Sequence, residues 1–132
     1  MEVISRWKNL PAHIDQFEGF VYVITNNITG KYYIGKKSFW SRRTLKPLKG
    51  KKKKRRVIKE SDWKDYWGSS AYLQEDIDKY GKRYFSRVII RAYKTKWEVS
   101  YYEAKQQFDM NVLFDKESYN GIINCRLSRR KR

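Results

Sequence analysis

The alternation of apolar and polar positions is sharpest between residues 19 and 37, GFVYVITNNITGKYYIGKK. Phe20 to Thr25 and Lys31 to Gly35 are short runs rich in aromatic and β-branched residues, and the NNITG between them ends on Gly30, a residue free to take positive φ. This predicts a β-hairpin. With Asn26 to Thr29 as the loop, Thr25 pairs with Gly30 and Tyr22 stands opposite Tyr33, so two phenols share one face and Val21, Val23 and Ile34 the other. A loop one residue longer brings Tyr32 to the face of Tyr22 instead, because a single-residue slip inverts every side chain.

Further along, Ser69 and Ser70 offer N-caps, Leu73, Ile77 and Tyr80 fall at helical spacing, and Gly81 sits at the C′ position, which predicts a helix. Tyr84 to Tyr93, with the run Val88, Ile89, Ile90, reads as a third strand, central or covering the sheet. Thr95 and Glu98 have capping-box spacing for a helix running to about Met110. Its apolar stripe is Trp97, Tyr101, Ala104 and Phe108; Val99, Tyr102 and Met110 form a second group with Glu103 near its edge. Residues 1 to 18 have weak periodicity and read as mostly irregular, with room for one short element. From Arg42 to Lys59 basic residues dominate around LKGKKKKRRVIK, and few apolar groups offset the entropy of ordering, so a mobile loop or projecting arm is expected.

The 132 residues carry no Gly/Ser/Pro-rich linker, which implies one domain over 1–132 with a core of about 19–124, a basic arm of about 46–60 and a basic tail at 125–132. A formal net charge of +17 together with 17% aromatic residues points to nucleic acid as partner. The sequence shows no long uncharged apolar stretch and no signal-peptide core, so a soluble cytoplasmic protein is expected, with no membrane partner. One cysteine, Cys125, and one histidine, His13, exclude zinc fingers and disulfide scaffolds. Hydrolytic chemistry would have to use carboxylates, tyrosines, basic residues or a metal.

Tyr22 closing FVY and Tyr33 opening YIG, eleven positions apart across an N-x-x-TGK turn, resemble the two signature halves of the GIY-YIG nucleases, with Phe20-Val21-Tyr22 in place of GIY. In the family's order follow Arg43, ten residues after Tyr33, then WKDYWGSS at 63–70, Glu103 in the late helix and Asn120 in SYNG. The resemblance implies an α/β (α+β type) fold, a small three-stranded antiparallel sheet flanked by helices. It also implies a divalent-metal-dependent endonuclease acting on double-stranded DNA, of the phage homing type or a related small enzyme, working in a bacterial host cytoplasm. Glu103 would hold Mg²⁺ or Mn²⁺, Tyr22 would act as base with Tyr33 in support, and Arg43 would stabilise charge on the phosphate. Lys36 and Asn120 complete the catalytic set.

A phenol of ordinary pKa near 10 makes a poor base at neutral pH, so Lys36, Arg43 or the metal would have to lower it. The histidine that many members carry after the arginine has no counterpart in Thr44, Leu45, Lys46 and Pro47; Lys36 or Lys46 would stand in. Homing members carry a separate DNA-binding domain for which this length leaves no room, so nucleic-acid contacts are expected from Arg42, Lys46, Lys51, Lys52, Lys53, Lys54, Arg55, Arg56, Trp67 and Ser69. Arg42 is chemically equivalent to Arg43, and Asn120 could simply make a turn before Gly121. Two other functions stay open: a PD-(D/E)xK nuclease, through the match Glu103-Ala104-Lys105, and a non-catalytic nucleic-acid-binding protein that keeps the fold.

Overall fold

Aromatic side chains on alternate positions of one strand organise the molecule, a computed structural model that describes residues 6–130. Residues 1–5 and the last two of the basic tail lie outside the described part. The strands are β1 (Trp7–Lys8), β2 (Gly19–Asn26), β3 (Tyr32–Ser38), β4 (Trp40–Leu45), β5 (Arg55–Glu60) and β6 (Phe85–Tyr93); the helices are α1 (Ala71–Tyr80) and α2 (Lys96–Asp109). Four strands form a sheet in the order β1-β6-β2-β3, and β4 pairs with β5 in a separate ribbon.

On one face of β2, Phe20, Tyr22 and Ile24 meet Phe85 and Ile89 of β6 and are covered by Trp63, Trp67 and, from α1, Leu73 and Ile77. On the other face Val21 and Ile34 pack with Val112, and α2 lies across β3, β2 and β6. The predicted antiparallel trio is β6-β2-β3, but the sheet is larger than expected by one strand: β1 pairs with β6 in parallel. Burial of a single ring accounts for it. Trp7 packs edge-on against Phe20 at 5.0 Å and Tyr22 at 5.3 Å, and its Nε1 donates to the Trp63 carbonyl at 2.8 Å.

The β2/β3 register is shifted two residues from the expected one, with Thr25 opposite Tyr32, Ile24 opposite Tyr33 and Tyr22 opposite Gly35. Asn26 causes the shift. Its backbone still belongs to the ladder through Lys31, while its Oδ1 accepts from the Ile28 and Thr29 amides at 2.9 and 3.3 Å. A slip of two preserves parity, so Tyr22 and Tyr33 share a face as diagonal neighbours. Beyond the hairpin, Tyr32 bridges in parallel to Ser118.

The two helices start where their caps predict. Ser70 Oγ accepts from the Leu73 amide, and Thr95 Oγ1 accepts from the Glu98 amide at 3.1 Å while donating to the Glu98 carboxylate at 2.9 Å. The buried face of α2 differs from the expected stripe. Val99, Glu103, Ala104 and Gln107 turn inward, whereas Tyr101 and Phe108 are exposed. The polar members of that face find main-chain partners on β3, and the rings of Trp97 and Tyr101 stack on each other outside at 5.0 Å. In β6 a bulge opposite Val21/Tyr22 turns Ile90 out of the core, so the expected apolar run is only partly buried.

The basic segment is ordered as a projecting arm, the second of the two forms expected, and not as a mobile loop. It forms an antiparallel ribbon from Trp40 opposite Glu60 to Leu45 opposite Arg55, with residues 46–54 as its loop. Anchors at its base hold it: Trp40 Nε1 donates to the Phe17 carbonyl at 2.8 Å, Ser61 Oγ to the Ser38 carbonyl at 2.6 Å, and Arg42 grips the buried Glu18 carboxylate with two hydrogen bonds of 2.6 and 2.7 Å. Among the described residues no helix is long and apolar enough to cross a membrane.

The Arg42 hydrogen bonds outweigh burial and hold the Glu18 carboxyl below the ordinary carboxylate range. A lowered folded pKa contributes stability that is complete above the unfolded value of 4.5 and is lost as pH falls through the folded one. Arg42→Ala is expected to cost about 1 to 2 kcal/mol at neutral pH, the charged hydrogen-bond range discounted because Arg42 is largely exposed. It should also flatten the fall of stability below that pH. Urea unfolding across the acid range measures both, and parallel acid limbs in the two proteins would remove this pair from the account.

Candidate active site

Tyr22 reaches across β3 at the one position where no side chain obstructs it. A Cβ on Gly35 would lie 2.5 Å from the Tyr22 hydroxyl oxygen and 2.8 Å from the Tyr33 ring, so this glycine is required by close approach. The Tyr22 and Tyr33 rings stand 6.2 Å apart. Tyr22 is 1% exposed, whereas Tyr33 is half-buried and its hydroxyl meets Ser69 Oγ at 3.1 Å.

A third phenol joins them. Tyr66 stands edge-on to Tyr22 at 6.1 Å, and the segment that carries it is fixed by Arg87 on β6. The buried Arg87 guanidinium lies between the rings of Trp7 and Trp67, at 4.7 and 4.0 Å, and donates to the carbonyls of Lys64 and Tyr66 at 3.0 and 2.8 Å. Burial lowers its pKa to about 10, which leaves it charged at neutral pH. Lys37 Nζ lies 4.2 Å over the Tyr66 ring and 2.6 Å from Asp62 Oδ1.

Glu103 is buried on the inward face of α2, accepts from the Lys36 backbone amide at the outer edge of β3, and has no ion-pair partner among the described residues. Burial pushes its carboxyl above the ordinary range, opposed by the charge and amide of Lys36. Its negative charge is felt at both Tyr22 and Tyr33. One turn on, Gln107 donates through Nε2 to the Ile34 carbonyl at 2.9 Å, while its buried Oε1 has no partner.

The phenols titrate opposite to expectation. Burial drives the Tyr22 pKa far above 10, and Tyr66, Tyr33 and Glu103 push the same way; burial also raises Tyr33, against the Ser69 hydrogen bond. Cations at the surface do not reach Tyr22 strongly enough to reverse this.

Tyr22 and Tyr33 are thus brought together, with Ser69 on Tyr33, and Glu103 stands at the strand's edge on the Lys36 amide, within range for its charge to act on both phenols. Asn120 is close by but engaged: its Oδ1 accepts from the Ile34 amide at 3.0 Å and its Nδ2 donates to the Ile34 carbonyl at 2.8 Å, so it holds the strand. The two lysines after YIG separate by strand alternation. Lys36 turns to α2, where its Nζ donates to Ser100 Oγ at 2.9 Å, and Lys37 takes the tyrosine face. Arg43 is not brought to the tyrosines; it is exposed on the ribbon opposite Val57. Lys46, Lys51, Lys52, Lys53, Lys54, Arg55 and Arg56 are exposed on the same ribbon and its loop. Trp67, expected at the nucleic-acid surface, is a core ring under Arg87. Glu103-Ala104-Lys105 is helical, with Lys105 paired to Asp109 at 2.7 Å, which removes the strand setting a PD-(D/E)xK motif needs. Sequence reading missed Tyr66 and Lys37. Counting alternate positions on from Tyr33 and Gly35 would have found Lys37; Tyr66 had no comparable signal.

Paired strand tyrosines meeting over a glycine, with a helical glutamate at the strand's edge, agree with a domain of the GIY-YIG class. Residues 5–123 match the family model described as "Putative endonuclease segE, GIY-YIG domain", and the chain belongs to that family. It is similar to "Putative endonuclease segE" of Enterobacteria phage T4, 34% identical over 102 residues that cover 76% of this chain and 39% of the relative. The chain therefore spans about two fifths of that relative's length. No solved structure matches.

Gly35→Ala is expected to destabilise the protein by about 1 to 3 kcal/mol through overpacking against the Tyr22 hydroxyl. The two rings should also separate, changing the near-ultraviolet dichroism. A variant with wild-type melting and an unaltered aromatic spectrum would show that the tyrosines do not close over this residue.

Proposed function

We propose that the domain is a divalent-metal-dependent endonuclease that hydrolyses phosphodiester bonds of duplex DNA, of the phage homing type or a related small enzyme. The observation that carries this reading is the pairing of Tyr22 and Tyr33 over Gly35, with the buried Glu103 bonded to the amide of the next residue, Lys36.

The donor set suits Mg²⁺ or Mn²⁺. Glu103 is a buried carboxylate with no protein counter-ion in contact, and the orphaned Gln107 Oε1 lies one helical turn away. Among the described residues no three His, Cys, Asp or Glu side chains converge, and a hard cation that keeps several waters needs only one carboxylate plus substrate phosphate. A divalent cation held there would neutralise charge on the leaving oxygen and lower the pKa of bound water and of the neighbouring phenols.

The chain's own residues divide the remaining work. Tyr33, with a hydroxyl at the surface beside Ser69, is the phenol that reaches the attacking water. Tyr22, buried behind it and protonated at neutral pH, positions that ring. This reverses the order of importance implied by the family resemblance. With Arg43 on the ribbon, Lys37 supplies the positive charge on the tyrosine side, a point charge for a phosphate oxygen in place of a bidentate fork. Gln107 and Asn120 hold Ile34, and so fix the strand that carries Tyr33 and Gly35. The competing reading, a binder that does not cleave, is favoured by the distance of Arg43 from this cluster in the fold.

Glu103→Gln is expected to lower cleavage of plasmid DNA with Mg²⁺ or Mn²⁺ by about 100-fold or more, while affinity holds or rises because a negative charge near phosphate is lost. Tyr33→Phe should cost more turnover than Tyr22→Phe. Tyr32→Phe should leave turnover intact and cost about 1 kcal/mol of stability through the lost 2.7 Å hydrogen bond to Asp115. Full turnover by the Gln variant, or by wild type in chelator, would end the metal reading, and no cleavage by wild type in either metal would favour the binder.

The exposed loop lysines are expected to contact phosphates without reading sequence. Replacing Lys51, Lys52, Lys53 and Lys54 with Ser should flatten the plot of log affinity against log salt by about 2 to 4 units, at about 0.9 per phosphate neutralised. An unchanged slope would make the loop a solvated bystander.

A further inference from the structure

We propose that the outward face of the β4/β5 ribbon enters the major groove of duplex DNA and reads base edges within about half a helical turn of the cleavage position. The proposal takes DNA as partner from the nuclease reading; the rest comes from the ribbon itself.

Strand pairing divides the ribbon into two faces. Trp40, Arg42, Ile58 and Glu60 occupy one, and its base turns to the body: Trp40 bonds to Phe17, Arg42 to Glu18, and Glu60 accepts from Trp63 Nε1 at 2.8 Å, while Ile58 is exposed. The other face carries the pairs Ser41 with Lys59, Arg43 with Val57, and Leu45 with Arg55. On this face Ser41 and Leu45 are half-buried, and Arg43, Arg55, Val57 and Lys59 are exposed. Every residue of β5 is exposed, and no acid among the described residues pairs with Arg43, Arg55 or Lys59.

Two features of this face separate base reading from phosphate binding. A two-stranded ribbon fits the major groove, which is about 12 Å wide. Phosphate binding requires only charge, yet this face places Val57, 38% exposed, beside Arg43 and sets Leu45 against Arg55. Arginine forks match guanine O6 and N7, and small apolar side chains match the thymine methyl group. An apolar residue left partly exposed between arginines on a projecting ribbon is matched to base edges.

The mounting supplies the register. The Glu18 pair and the Trp40 and Ser61 hydrogen bonds fix the ribbon's base, and a groove of about 490 Å³ lined by Lys37, Trp40, Lys59 and Asp62 joins that base to the tyrosine side. Six strand residues at about 3.3 Å each give a reach of about 20 Å. At about 3.4 Å per base pair, that reach corresponds to about six base pairs.

The test is selection of randomised 20-base-pair DNA duplexes by the full chain in chelator, so that binding is read without cleavage. Wild type is expected to enrich a short run of adjacent base pairs. Arg55→Ala should relax one guanine position by about 5- to 150-fold, and Val57→Ala should relax a neighbouring thymine, whereas the quadruple loop-lysine variant weakens all sequences alike. Since a ribbon variant could misfold, the DNA is varied too. Replacing the selected guanine with 7-deazaguanine removes the groove-facing N7 and should reproduce the Arg55→Ala loss in the unaltered protein. Duplex RNA of the selected sequence, whose major groove is too narrow to enter, should show no preference. Absence of binding or of preference in wild type, preference untouched by 7-deazaguanine, or equal preference on RNA would each overturn the proposal. Cleavage without sequence preference would remove the ribbon's role and leave the nuclease standing; preference without cleavage in Mg²⁺ or Mn²⁺ would do the reverse.

Discussion

A buried guanidinium held between two indoles is the constraint on which the tyrosine face depends. Arg87 grips two carbonyls of the segment before α1 and joins Trp7 of the first strand to Trp67 of that segment. Charge in an apolar interior is costly unless it is paired or hydrogen-bonded, and here main-chain oxygens and two ring faces share that task. The segment, with Tyr66 and Ser69, is therefore pressed against β2 and β3 by a residue that grips its main chain. Two of the groups that surround Tyr22 and Tyr33 owe their positions to it.

Burial then decides the chemistry. Tyr22 and Gly35 are packed so closely that the phenol is withdrawn from water, and a group withdrawn in this way keeps its proton. The same packing leaves Tyr33 half-buried with its hydroxyl beside Ser69, so two tyrosines of one motif have different access to solvent. Glu103 is raised by burial for a related reason, and its charge adds to the pressure on both phenols. Glu103 opposes ionisation of both phenols and Tyr33 that of Tyr22, a balance that an added positive charge would change most.

Local signals were legible in the sequence. The hairpin, the shared face of Tyr22 and Tyr33, and both helix starts follow from alternation and caps that lie within a few residues of their partners. Features set by distant partners were not. The exact register depends on the Asn26 side chain bonding into its own loop; the buried face of α2 depends on Glu103 and Gln107 meeting β3, some 70 residues earlier in the chain. The basic run left loop and arm both open, and the arm's order comes from Glu18 gripping Arg42 across 24 positions. Arg43 matched the family's spacing, but spacing along a chain does not say which way a ribbon turns its side chains. Lys37 was overlooked although strand alternation alone places it with Tyr33.

The outer margin of β3 shows one more consequence of the groups that hold it. Its outward-facing main-chain groups at Tyr32 and Ile34, and the Lys36 amide, are taken by the chain itself. Tyr32 bonds to the backbone of Glu117 and Tyr119, Ile34 to the amides of Asn120 and Gln107, and Lys36 to the Glu103 carboxylate. A strand with its free side occupied in this way offers no template to a second chain. The residues that bond to this strand therefore also act as a guard against edge-to-edge aggregation along the margin that carries Tyr33.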